Sequence, residues 1–285
     1  MKKIFALLMI CSLIFFAGCG GSEKKSDAPK PGKEKTTIGV ITRLNASEIE
    51  YNELMKKLEK SYRPSKANLT ADYKFFDKMN EMQLALESNQ IDMMSTYQSV
   101  ADYLLQRSSD KEILPSEKKL QDSFCFALRE GDTILKNELN KAIKYMIQDG
   151  TLADLSKKYI VDLKNGEEPP AVAIEKIDGA DTIKVAVTGD LPPFDLVLPD
   201  GTPAGFSTAV LSEVSKRIGK NIELVTIDSA ARASILSSKG ADVVFWVSVP
   251  KDSTLIPANI DQPQGIGISD PYYNDTIVHV GKKES

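Results

Sequence analysis

The sequence is poor in the side chains that build metal and redox chemistry. Its 285 residues include one histidine, His279, together with three cysteines and one tryptophan. A lone histidine excludes a His-rich metal site and a proton relay between histidines. Positive charge is not in excess either: 36 Lys plus Arg face 40 Asp plus Glu, for a net charge of -4 and a pI near 5.3. Such a chain offers no basic field to a polyphosphate backbone, and no nucleic-acid partner is expected. Apolar runs long enough for a many-span membrane protein are lacking. What remains, 42% hydrophobic and 27% charged residues, is the composition of folded soluble proteins and not of a disordered chain.

The one apolar run stands at the start. Lys2 and Lys3 precede Ile4 to Phe16, and Ala17, Gly18 and Cys19 follow. The run falls short of the about 20 residues of a settled bilayer span, and its order reads as a targeting segment. Small residues before Cys19 resemble the lipobox of bacterial lipoproteins, although Phe16 replaces the usual aliphatic residue. The resemblance implies that residues 1–18 are removed and that Cys19 is lipidated. Cys11 leaves with the signal, so Cys125 has no partner and no disulfide framework is possible. Cys125 lies within Ser123-Phe124-Cys125-Phe126-Ala127-Leu128, which reads as a buried strand with a packed thiol. Residues 19–35, rich in Gly, Ser, Lys, Glu and Pro, read as a flexible tether.

Beyond the tether, strand-like and helix-like stretches alternate, which predicts an α/β fold with largely parallel sheets. Thr37 to Thr42 reads as a strand, and Ser47 with Glu50 forms a capping box that opens a helix through Leu54 and Leu58. Strands are expected at Leu69 to Phe76, Ile91 to Met94, Phe124 to Leu128, Ile183 to Thr188, Ile222 to Ile227 and Ala241 to Val247. Helices are expected at Met79 to Leu86, from about Asp132 to Met146, from Thr151, and at Ser207 to Ile218 and Ala230 to Ser238. Gly150 and Gly219 suit helix stops, and Thr151 with Asp154 suggests a second capping box. Residues 161–181 read as an extended linker.

Pro192-Pro193-Phe194, Gly201, Gly205-Phe206 and Gly219 resemble the opening of the first lobe of extracellular (periplasmic) solute-binding proteins of family 3, the amino-acid-binding type. Gly240-Ala241-Asp242-Val243-Val244 and Ser269-Asp270-Pro271-Tyr272-Tyr273 look like its later motifs. Phe126 to Asp132, Asn140, Asp149-Gly150-Thr151-Leu152 and Lys157-Lys158-Tyr159 resemble the family's end, yet they come first in this chain. The resemblance therefore implies a circularly permuted, two-lobed periplasmic-binding-protein-like α/β fold with a ligand cleft between the lobes. Its expected parts are a signal peptide at 1–18, a tether at 19–35, a second-lobe-like domain at 36–122 and a return segment into the first lobe at 123–160. The linker at 161–181 and a first-lobe-like domain at 182–285 complete it. This arrangement puts the ends, near Thr36 and Lys282, on one crossing and leaves only residues 113–123 to join the lobes.

The resemblance implies ligand contacts from Asp190, Phe194, Arg232, Trp246, Ser248, Lys251, Ser47, Thr96, Tyr97 and Gln98. Two expected clamps are missing. Val249-Pro250-Lys251-Asp252 stands where the family usually places a carboxylate-binding arginine, and Tyr97 stands where an aspartate is expected for an ammonium group. The expected function is a membrane-anchored extracytoplasmic receptor that closes on a small polar solute, such as an amino acid or a derivative, for an ABC-type importer. Its partners would be the solute, the importer's membrane subunits and a lipid anchor, and the chain would act as a monomer. No catalysis, cofactor or metal is expected. A ligand-sensing lipoprotein and a secreted dehydratase-like enzyme are the alternatives.

Overall fold

The computed structural model describes residues 35–62, 70–115, 120–163, 166–251 and 261–283. The expected signal peptide, Cys19 and nearly all of the tether lie outside the described residues. The first half of the body runs β1 (Lys35–Ile41), α1 (Glu48–Tyr62), β2 (Thr70–Phe76), α2 (Met79–Glu87), β3 (Met93–Tyr97), α3 (Gln98–Leu105) and β4 (Lys111–Leu114). Then come β5 (Gln121–Arg129), α4 (Thr133–Gln148) and α5 (Thr151–Ser156), which ends in a π turn at Lys157–Val161. The rest is β6 (Thr182–Val187), β7 (Asp190–Leu191), β8 (Asp195–Val197), β9 (Pro203–Ala204), α6 (Phe206–Ile218), β10 (Asn221–Thr226), α7 (Arg232–Ser237), β11 (Val243–Pro250), β12 (Ile266–Ile268) and β13 (Tyr273–Lys282).

Ten of these strands form a continuous ladder in the order β10-β6-β11-β5-β13-β3-β1-β2, with β12 on β5 and β4 on β13. The flanks are parallel, β10-β6-β11 on one side and β2-β1-β3 on the other, as crossover connections through helices require. The expectation of largely parallel sheets fails in the middle, where β5 and β13 run antiparallel to their neighbours. β13 is the junction. Its residues Tyr273 to Thr276 pair with β5, and Ile277 to Gly281 pair with β3. The chain therefore passes between the lobes twice, along β13 and between β4 and β5. The expected single join at 113–123 is corrected by this second crossing.

Alternation along the strands sorts the core. Phe124, Phe126 and Leu128 of β5 point into one large cluster that also takes Met82 and Leu86 of α2, Val100 and Leu104 of α3, Ile143 of α4, and Phe206 and Val210 of α6. Cys125 and Ala127, between them, face a smaller cluster with Ala186, Leu236 and Val244. A third cluster, Ile38, Val40, Tyr51, Ala71 and Tyr73, packs α1 on its sheet. The large cluster runs through both lobes, the second takes Leu44 from the 36–122 lobe, and the third belongs to that lobe alone. Gly205 serves the packing of α6: its φ is +101°, and a Cβ there would lie 2.6 Å from the Phe194 carbonyl oxygen.

Local signals fared unevenly. The Ser47–Glu50 box forms as expected, with the Ser47 N–H donating to Glu50 Oε2 at 3.0 Å and the Glu50 N–H to Ser47 Oγ at 3.3 Å. The second box does not: Asp149 accepts from the Thr151 N–H and hydroxyl, and Asp154 takes no part in it. Described residues of the 161–181 stretch pack on the body, Val172 being buried with its N–H bonded to the Pro203 carbonyl. Among the described residues, no helix is long and apolar enough to cross a membrane.

Candidate functional site

The two lobes meet around a cavity built where parallel strands end, the usual place for ligands in open α/β sheets. It is lined from one side by Thr42 and Arg43 after β1 and by Ser95, Thr96 and Tyr97 of β3, and from the other by Asp122, Trp246, Ser248, Arg232 and Asp261. β11 reaches it through a bulge: its register with β5 shifts between Val244 and Val247. Phe245 and Trp246, neighbours in sequence, consequently both join the large cluster.

Polar bonds tie one lobe to the other across this cavity. The Arg43 guanidinium donates through Nη1 to Ser248 Oγ at 3.2 Å and through Nη2 to Tyr51 Oη at 3.1 Å. Arg232 donates through Nη2 to the Thr42 carbonyl, through Nε to the Ser229 carbonyl and through Nη1 to that of Trp246, and it stacks 4.5 Å from the Trp246 ring centroid. Tyr97 donates its hydroxyl to Asp122 Oδ2 at 3.3 Å. Asp261 accepts from the backbone N–H groups of Leu44, Asn45 and Ala46. Asp190 and the Lys78–Asp228 ion pair, at 3.2 Å, add contacts at the rim.

Two guanidinium groups and two carboxylates thus balance in formal charge. Burial pushes the Asp122 carboxyl above the ordinary carboxylate range, with Arg43, Ser248 and Tyr97 opposing the shift. The Tyr97 hydroxyl is also raised, first by burial and then by the charge of Asp122, so it is a donor at any physiological pH. Burial lowers Arg232 from its usual value, which its three carbonyl partners leave charged and satisfied. Elsewhere, burial pushes the Cys125 thiol up to about 12, a packed and unreactive group. Among the described residues, no group of His, Cys, Asp or Glu is arranged to hold a metal ion.

Five of the ten residues expected at the cleft line this cavity: Arg232, Trp246, Ser248, Thr96 and Tyr97. The others lie elsewhere. Phe194 is fully buried, 4.8 Å from the Phe124 ring and 5.4 Å from that of Tyr273, so it is core and not a ligand wall. Asp190 accepts from the Met79 N–H at 2.9 Å, capping α2 of the opposite lobe. Ser47 is exposed and spends its hydroxyl on Glu50. Lys251 is exposed and reaches Gln121. Gln98 bonds to Asp102 and lines a separate groove between α3 and the π turn.

Sequence reading missed Arg43, Asp122 and Asp261. Arg43 had a signal, since it sits in the loop between the first strand and a capping box, where strand ends gather ligand groups. Asp122 had a weaker one, a carboxylate opening an otherwise apolar strand. Asp261 had none: its partners are more than 200 positions away in sequence.

A two-lobed α/β body with a polar cleft at strand ends defines a class of binding protein. The chain belongs to the bacterial extracellular solute-binding proteins, family 3, whose pattern matches residues 66–162 and 183–255. That family consists of ligand-binding proteins and places the chain outside the cytoplasm. The chain is similar in structure to the ligand-binding component of an ABC-type import system from Staphylococcus aureus, solved with zinc bound. The identity is 15% over 88% of this chain and 66% of that one, with a TM-score of 0.44. It is likewise similar to the glutamate-bound GluR0 ligand-binding core from Nostoc punctiforme, at 10% identity over 88% and 86% and a TM-score of 0.38. The alkanesulfonate-binding protein SsuA from Xanthomonas axonopodis pv. citri gives 9% over 89% and 67%, with a TM-score of 0.40. No curated protein matches the sequence.

Proposed function

We propose that this chain is the membrane-anchored solute receptor of an ABC-type importer, closing its two lobes on a small polar solute such as an amino acid or a derivative. The observation that carries this reading is the cleft itself, where Arg43, Tyr97, Asp122, Trp246 and Ser248 converge from both lobes. Fixed donors and acceptors around an aromatic plane recognise a small charged solute without doing chemistry on it. In this reading Thr96, Tyr97, Arg232, Trp246 and Ser248, which line the cavity, contact the solute, and Arg43 and Asp122 act in place of the missing arginine and aspartate. Lipidation at Cys19 would hold the body beside the importer's membrane subunits. Calorimetry on the body from residue 35 onward, against amino acids, small peptides, amines and organic acids, tests the reading. One solute is expected to bind at one per chain and to change the fluorescence of Trp246, the only tryptophan. Silence across the whole set would end it.

We also infer a circular permutation, with 36–122 and 182–285 as the main parts of the two lobes. β1 and β13 flank β3, and the start of β1 lies at the same end of the sheet as the end of β13. Two strand spacings, about 10 Å, separate them laterally. A chain rebuilt as residues 161–283, a short linker and residues 35–160 is expected to give the same circular dichroism spectrum and to bind the same solute. Failure of that chain to fold cooperatively would refute the permutation.

A further inference from the structure

After the π turn, the stretch that reads as a linker in the sequence leans on one lobe and is tied to the other. Tyr103 of α3 donates its hydroxyl to the Glu168 carboxylate, and Arg107 donates through Nη2 to the Glu167 carbonyl. The Arg107 guanidinium also lies 3.7 Å from Glu168 Oε1, donates through Nη1 to the Tyr103 carbonyl at 3.1 Å and stacks 3.6 Å from the Tyr103 ring centroid. Two residues beyond Glu168 the chain joins the lobe that holds β9. The Gly205 N–H donates to the Pro170 carbonyl, Ala171 bridges Ala204, and the Val172 N–H donates to the Pro203 carbonyl.

This geometry couples the contact to the angle between the lobes. Two chain steps, at most about 7 Å, separate Glu168 from Pro170, so Glu168 stays with the lobe of β9 when α3 turns away. Packing does not hold α3 and the π turn at a fixed separation. A groove of about 730 Å³ lies between them, walled by Gln98, Asp102 and Gln106 on one side and by Ile160, Val161 and Leu163 on the other. An exposed ion pair alone is worth little, but Arg107 is fixed in advance by the ring and carbonyl of Tyr103. Tyr103 itself is buried, so its hydroxyl bond to Glu168 is sheltered from solvent on one side.

We propose that residues 166–170 form a strap across the hinge that favours the closed form, with Tyr103, Arg107 and Glu168 as its clasp. The proposal rests on the two-lobed receptor reading and adds a control on its opening. Opening turns α3 away from Glu168 and breaks the clasp. Closing remakes it together with the bonds at the cleft, Arg43–Ser248 and Arg232–Thr42. A solute that binds the closed form gains from the strap, because its apparent affinity scales with the fraction of chains that are closed. In the permuted order this segment joins residue 160 to residue 182, so the strap uses a connection that the unpermuted order lacks.

The test places spin labels at Glu81→Cys on α2 and Ser234→Cys on α7, two exposed positions flanking the Lys78–Asp228 pair at the rim. The body from residue 35 onward has one native thiol, Cys125, which is buried. Distances between the labels are measured without solute in this background and after adding Arg107→Ala, Glu168→Ala or Glu175→Ala. Glu175 is an exposed carboxylate of the same segment and serves as the control of equal charge. The expected result is a longer distance populated at least threefold more in Arg107→Ala and Glu168→Ala than in the background, with Glu175→Ala unchanged. Glu168→Ala alters an exposed side chain outside α3 and reads the strap even if Arg107→Ala fails to fold. An unchanged distance in Glu168→Ala, or an equal change in Glu175→Ala, overturns the proposal. If Glu168→Ala opens but no solute of the calorimetric set binds any form, the strap stands and the receptor reading falls. If a solute binds the background and Glu168→Ala alike and the distances do not differ, the receptor reading stands and the strap falls.

Discussion

Phe124 and Asp122 lie two residues apart on the same strand and face opposite fates. Phe124 has no exposed surface and touches the rings of Tyr97, Phe194, Trp246 and Tyr273 in a cluster that extends through both lobes. Asp122 is 3% exposed and sits at the cleft, where the apolar packing gives way to Arg43, Ser248 and Asp261. The first region is apolar, shared and continuous. The second is polar, and bonds such as Arg43–Ser248, Arg232–Thr42 and Tyr97–Asp122 join the lobes. Apolar packing is non-directional and ties the lobes into one folding unit, whereas directional bonds at the cleft can be exchanged for bonds to a solute at little net cost. In the proposed receptor the apolar side would act as the hinge and the polar side as the mouth.

The comparison breaks most visibly at Phe124. Phe124→Ala is expected to cost about 3–5 kcal/mol of stability, as for other buried aromatic truncations. Because the cluster is shared, urea unfolding followed by Trp246 fluorescence and by circular dichroism should still give one coincident transition. Two separated transitions would show that the lobes fold independently and that the core is not continuous.

A smaller effect is expected from pH. Burial pushes the Asp195 carboxyl up to about 6, although Thr188 and Gly189 donate three hydrogen bonds to it. The unfolded chain binds this proton only below about pH 4, so between pH 4 and 6 the folded chain holds more protons and stability falls as pH rises. Asp195→Asn should remove a fall on the order of 2–3 kcal/mol across that window, measured by urea unfolding at a series of pH values. Burial raises Asp122, Asp190 and Asp275 as well, which adds to the fall, whereas the lowered carboxyl of Asp149 and the lowered His279 act against it. An unchanged slope would mean that Asp195 is ionised at little cost.

The smallest effect belongs to the rim. Asp190→Ala removes the carboxylate that caps α2 from the other lobe, at a cost of about 1 kcal/mol. The sharper reading is shape: X-ray scattering should show a larger radius of gyration without solute, because only a contact between lobes is lost. No change in shape would make Asp190 a cap and nothing more.

Most elements were legible in the sequence, because strand alternation, helix spacing and the Ser47–Glu50 box are local. What escaped was β13, α3 and the short strands β4, β7, β8, β9 and β12. Ser269 to Tyr273 could be recognised as a motif, but the strand that follows it is defined by its two different neighbours, β5 and β3. α3 starts directly at the end of β3 without a side-chain cap, so no local boundary announced it. At the site, Trp246 and Ser248 were found because they stand toward the end of an apolar strand. Phe194 was misplaced because an aromatic after a proline turn reads the same whether it meets a ligand or a core.

The amino-acid sequence by itself determined the family, the alternating α/β elements and the composition of the core, since these depend on residue types at short, regular spacings. The tertiary structure alone decided which charges meet. Arg43, Asp122 and Asp261 come together only through strand pairing between distant segments, and a hydrogen bond or ion pair depends on a few ångströms of separation that no local pattern encodes.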